Sequence, residues 1–250
     1  MSSHSPAAGP GRVRVESGAK RVRAYVDGVA VADTTHPLYV WENPAYPAYY
    51  VPIADVRMDL LVPTSTTTHS DALGDARHFT VKANGGDRVD AAWQYVQSPV
   101  EEIRDHLRFD WRAMDAWFEE DEEVFVHPRS PYTRVDILPS SRVVRVEIDG
   151  VVLAESSHPC VLHETGLPVR WYIPKVDVRM DLLVRTDHSS QCPYKGTAEY
   201  WSARIGDRLE ENVAWSYRTP LPESERIAGL IAFYNHRVDL IIDGNAEEAS

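Results

Sequence analysis

At 250 residues the chain is too long for one minimal domain and suits two of roughly 100–125 residues each. An apolar share of 43%, with 26% charged and 10% aromatic residues, excludes wholesale disorder. A net charge of −12, from 26 basic and 38 acidic side chains, disfavours sequence-independent attraction to nucleic acid or anionic membranes, and no apolar run approaches the roughly 18–20 residues needed to span a bilayer.

In chain order, residues 1–11 read as a disordered head. MSSHSPAAGPGRVR has no hydrophobic stretch of the kind a signal peptide requires. With only two cysteines, Cys160 and Cys192, a disulfide-stapled module is not expected, and a reducing cytoplasm is the default. Residues 12–120 form a first repeat. Within it Arg21 to Val26 alternates as a strand, meets the turn signal Asp27-Gly28 and resumes at Val29 to Ala32. After Pro99, Ile103 and Leu107 fall four apart among charges and predict a short helix. Residues 121–133 read as an acidic and proline-rich linker, semi-rigid because proline restricts the chain to extended or turn conformations.

A second repeat is expected over 134–243, before a tail at 244–250. It repeats the hairpin as Val144 to Ile148, Asp149-Gly150 and Val151 to Leu153. Aromatic and β-branched stretches at 171–173 and 200–205 suit strands, and Glu223 to Ile231 predicts a second short helix with Ile227, Leu230 and Ile231 on one face. The fold class is therefore mainly β (β-rich α+β): two homologous small antiparallel β domains, each with about one short helix.

The repeat is explicit in the residues. Asp27-Gly28 recurs as Asp149-Gly150, an offset of 149 − 27 = 122, and the same offset carries His36-Pro37 onto His158-Pro159. It also carries Asp55-Val-Arg-Met-Asp-Leu-Leu61 unchanged onto Asp177 to Leu183, and Trp93 and Tyr95 onto Trp215 and Tyr217. Just after the shared Leu-Leu-Val the copies diverge. His188 stands where the first copy has Thr66, Cys192 where it has Ser70, and Lys195 where it has Leu73. The second copy is thus expected to hold the equipped site and the first a degenerate one.

His188-Ser-Ser-Gln-Cys-Pro-Tyr-Lys-Gly196, preceded by Asp177 to Leu183 and followed by Ala214-Trp-Ser-Tyr217, resembles the domain of unknown function 427 family. The resemblance covers both halves and is strong in the second. It implies a small β-rich domain with tent-like sheets, and the family carries a nucleotidyltransferase-like label. Tent-fold relatives often hold zinc with paired C-x-x-C motifs, which are absent here.

The candidate chemistry is as follows. Cys192 is a nucleophile only if a neighbouring base or cation favours the thiolate, and His188 and Lys195 could supply that if the loop brings them together. Otherwise Cys192 is a small buried hydrophobe. Lys195 can meet a phosphate or carboxylate, or react as an amine if desolvated. Arg179 and Asp181, two apart on an expected strand, form either a fold-supporting pair, as Arg57 and Asp59 would, or a grip on an anionic ligand. Tyr172, Tyr194, Tyr200, Trp201 and Trp215 are the aromatics expected to line a pocket for a flat molecule. No phosphate loop of the form G-x-x-x-x-G-K-[ST] occurs, no metal-ligand spacing stands out around His188, Cys192, His163 or Glu164, and no cofactor is named by a motif. The function expected is binding of a small flat or anionic molecule by the second repeat, with or without chemistry on it. The alternative is a non-catalytic binding or interaction scaffold.

Overall fold

The computed structural model describes residues 13–247, so the expected head lies outside the described residues. The chain divides into two compact units, with the boundary between Ser130 and Pro131. Each unit is built from antiparallel sheets of seven and four strands.

Local pattern sets the strands. In Val22–Val26 the residues Val22, Ala24 and Val26 turn inward while Arg23 and Tyr25 are half-buried on the other face, and Val144–Ile148 repeats this period of two. The following turns use positive φ at both central positions, 49° and 74° at Asp27-Gly28 and 49° and 77° at Asp149-Gly150. That conformation matches the right-handed twist of a hairpin, and glycine adopts it without strain.

In the first unit the large sheet runs Arg14–Ser17, Leu38–Asn43, Tyr46–Pro52, His106–Phe109, Arg88–Gln94, Gly74–Val81 and Leu61–Ser70. In the second it runs Val135–Pro139, Cys160–Glu164, Arg170–Ile173, Ile231–Phe233, Arg208–Tyr217, Gly196–Ile205 and Leu183–Cys192. The inner face of each large sheet packs on the small sheet of its own unit. Val22, Ala24, Tyr49, Phe79, Leu107 and Trp117 form that core in the first unit, and Val144, Val146, Trp171, Trp201, Ile231 and Leu240 in the second. Burial of each valine, leucine, isoleucine or phenylalanine among them stabilises the fold by about 1.5–3 kcal/mol. The outer face of each large sheet carries a separate cluster, built on Tyr50 and Tyr95 in one unit and on Tyr172, Trp215 and Tyr217 in the other.

The two expected helices are corrected. Glu101–Ile103 is one 3-10 turn, and Leu107 belongs to the strand His106–Phe109, where it is buried with Phe109 at a period of two. Pro222–Ile227 is a pair of 3-10 turns with a kink at Ser224. Gly229, with φ +71°, ends that segment, and Ile231 opens the next strand. Arg179 is likewise displaced from its expected strand and precedes the 3-10 turn Met180–Leu182. Within the expected linker, Glu122–Glu123 pairs with the strand Ala116–Glu119. Within the expected tail, Asn245–Ala246 pairs with Asp239–Ile242. No helix among the described residues is long and apolar enough to cross a membrane.

Candidate functional site

Register assembles the site on the outer face of the second unit. Cys160 pairs with Tyr172, Tyr172 with Ala232, Ala232 with Trp215 and Trp215 with Tyr200, so five strands contribute one row of side chains. Ala232 is the small member of that row. The rings interlock around it: Trp215 meets Tyr172 edge-on at 6.3 Å and donates its indole N–H to the Tyr172 hydroxyl at 3.2 Å. Tyr234 lies 4.5 Å from Trp215, and its hydroxyl is 3.2 Å from that of Tyr200.

The base of this cluster is dry. Tyr172 and Tyr217 are 1% and 5% exposed, and burial raises both phenols above their ordinary range. The rim is wetter: Tyr234 and Arg170 are half-buried, while His188 and His236 are exposed. Burial, followed by the Tyr200 hydrogen bond, pushes Tyr234 up to about 12. His188 packs its ring 4.5 Å from Tyr200, whose hydroxyl also meets Ser190 Oγ at 2.8 Å.

Arg170 is the unusual cation of the rim. Its guanidinium lies 5.9 Å over Trp215, and its buried Nη1 has no hydrogen-bond partner among the described residues. Burial also lowers its affinity for its proton. An arginine fork carries five donors, and leaving a buried one unmet is costly.

Lys195 follows the turn after Cys192, where its backbone N–H donates to the Cys192 carbonyl at 3.3 Å. Its side chain is buried, 9% exposed, and the ammonium is held by Glu164, whose side chain is 6% exposed. Cys192 packs at the edge of the aromatic cluster. His188 and Cys192 sit four residues apart on the strand Leu183–Cys192, roughly 13 Å at 3.3 Å per residue. At that spacing the imidazole does not reach the thiol, so the loop does not gather the three reactive groups around one point.

The other expected residues separate by strand parity. Tyr172, Tyr200 and Trp215 share the outer face, whereas Trp201, next in sequence to Tyr200, points into the inner core. Tyr194 lies in the turn, where its carbonyl accepts from Ser224 Oγ at 3.1 Å. Arg179 and Asp181 satisfy each other through two hydrogen bonds, 2.9 and 2.7 Å, and both are exposed.

Sequence reasoning missed Arg170 and Tyr234. The internal repeat held the signal: at an offset of 122 Arg170 stands where the first copy has Ala48. Pairing of Tyr50 with Arg108 and of Tyr172 with Ala232 shifts the last strand to an offset of 124, which sets Tyr234 against Asp110.

A family model described as Domain of unknown function (DUF427) matches the chain twice, over residues 14–120 and 136–244. No curated protein matches it.

Proposed function

The chain belongs to the DUF427 family as a tandem of two of its domains, and from that premise we propose that the second repeat binds a small, flat, anionic molecule at the aromatic rim of its large sheet. The observation that carries this reading is Arg170, a half-buried guanidinium over Trp215 with an unmet buried N–H. An anionic group on a ligand would supply the missing acceptor with charge-assisted geometry once the guanidinium turns outward, because Nη1 is enclosed in the present conformation. The rings of Tyr234 and His188 offer faces for a planar body. Nucleotides combine both properties and accord with the family's nucleotidyltransferase-like label.

Turnover at Cys192 or Lys195 with His188 as base is the second reading. It requires these groups at one reacting centre, whereas Lys195 is bound by Glu164 and His188 lies along the strand from Cys192. Binding therefore fits the geometry better than covalent chemistry.

The test is a thermal-shift screen of nucleotides and aromatic carboxylates against the wild-type chain and Arg170→Ala. At least one compound is expected to raise Tm saturably in the wild type and to lose that effect in the variant. Absence of any hit, or equal shifts in both proteins, would overturn the reading.

A further inference from the structure

The first repeat carries a cleft of about 390 Å³, within the range of small-molecule sites. Ring side chains contribute to two of its walls. Trp111 and Trp117 stack in parallel at 4.8 Å and 4°, with Tyr49 at 6.2 and 5.8 Å from them. On another wall Tyr46 stacks on His127 at 3.9 Å and 10°.

Room for this cleft comes from the residues that replace the rim of the second repeat. Ala48 stands at the position of Arg170 and Asp110 at that of Tyr234, and both line the cleft. A methyl and a short carboxylate thus occupy the places that hold a guanidinium and a phenol in the other copy.

The His127 wall is held by a strained backbone. His127 N–H donates to the Phe125 carbonyl at 2.8 Å while Val126 adopts φ +71°. That is the rare positive-φ form of the three-residue turn, and a β-branched residue in it is an outlier. Strain of this kind persists where surrounding structure enforces it, and it concentrates at ligand clamps. Here it sets an imidazole flat on Tyr46.

Charge separates this cleft from the other rim. Glu42 and Arg108 pair at 3.1 Å, leaving Asp110 and Arg112, one of each sign, and the Asp110 carboxylate accepts from the Arg112 backbone N–H at 3.1 Å. The walls therefore carry no net formal charge, and Tyr46 and Trp111 are half-buried rings among them. We propose that the first repeat has its own site for an uncharged planar heteroaromatic molecule, held against the rings of Tyr46 and Trp111. This site is independent of the anion site read into the second repeat.

Saturation-transfer NMR on the full chain with indole, quinoline, benzimidazole and adenosine tests it. At least one compound is expected to receive transfer from the wild type. Ala48→Arg, which installs the second repeat's side chain, and Tyr46→Ala, which removes a wall, should each weaken binding about tenfold, the worth of one aromatic contact. Arg170→Ala should leave binding unchanged. No transfer to any of the four, transfer that survives both first-repeat variants, or transfer lost on Arg170→Ala would each overturn the proposal. Near-UV circular dichroism establishes that each variant is folded, and Tyr46→Ala decides the matter if Ala48→Arg does not fold.

Discussion

Across the outer face of the first repeat the cross-strand row reads Leu38, Tyr50, Arg108, Trp93 and His78; across the second it reads Cys160, Tyr172, Ala232, Trp215 and Tyr200. Tyrosine and tryptophan hold their places, and the residue between them changes from arginine to alanine. A carboxylate also keeps its place, as Glu42 and Glu164. In the first repeat Glu42 receives the Tyr50 hydroxyl at 2.8 Å and pairs with Arg108, which lies 4.5 Å over Trp93. In the second Glu164 is held by Lys195, where the first copy has Leu73. One cation has moved from a strand centre to a turn while its counter-ion stayed. Lys195 is thus accounted for by relocation of an ion pair that is half-buried in the first copy and buried in the second, and the first copy is differently equipped rather than stripped. What distinguishes the second face is the small side chain of Ala232, closed over by rings, and the separate arginine, Arg170.

The largest effect that would break this comparison is expected from Lys195→Leu, the first copy's residue at that turn. Glu164 would stay buried without its partner, and removing one member of such a pair costs about 3–5 kcal/mol. Adding Ala232→Arg rebuilds the first copy's solution and should recover at least half of the loss. Urea denaturation of the three proteins, followed by tryptophan fluorescence, measures both terms. A loss below about 1 kcal/mol would mean the pair is solvent-screened, and a double variant no better than the single would mean the two cations are not exchangeable.

A smaller effect is expected at His106, which stands at the position of Leu230 in the second repeat. Its Nδ1 is buried without a partner among the described residues, and burial lowers its pKa below the ordinary value of 6.5. Below 6.5 the unfolded state then binds more protons than the folded one, so His106 subtracts stability as pH falls. His106→Leu should flatten the acid side of the first unit's stability curve and add up to about 1 kcal/mol near neutrality, by removing an unmet polar atom. Denaturation midpoints between pH 5 and 7.5 give the slope. An unchanged slope would show that the imidazole is hydrated in the folded state.

These differences explain how far the sequence could be read. Alternation and the Asp-Gly turns made the hairpins legible, because period-two burial and positive φ are local properties. The helices failed for a local reason too: four-residue spacing of Ile103 and Leu107 also arises when a 3-10 turn runs into a strand. At the site, the offset of 122 exposed Lys195 and His188 because that segment aligns without gaps. The exchange of Arg108 for Ala232 was hidden, since it becomes a match only after a two-residue shift that strand pairing reveals. Glu164 looked like one carboxylate among many until pairing placed it against Lys195, a contact between residues 31 apart.

The smallest effects are expected where the copies agree. Arg57 with Asp59 and Arg179 with Asp181 form the same fork, with Nε and Nη2 of each guanidinium engaged and every partner open to solvent. Hydrogen bonding to the arginine lowers each carboxyl's pKa below its ordinary value, so any stabilisation would be present above that value and lost as pH falls through the depressed one. Water and salt screen exposed pairs, which leaves little to lose. Arg57→Ala and Arg179→Ala should each leave the denaturation midpoint unchanged within error from pH 7 to pH 3. Arg179→Ala should also retain every hit of the thermal-shift screen, because its guanidinium is already occupied whereas that of Arg170 is not. Loss of the hits in Arg179→Ala, with folding intact, would transfer the anion grip from the aromatic rim to this exposed fork, and the agreement between the copies would then imply two such grips.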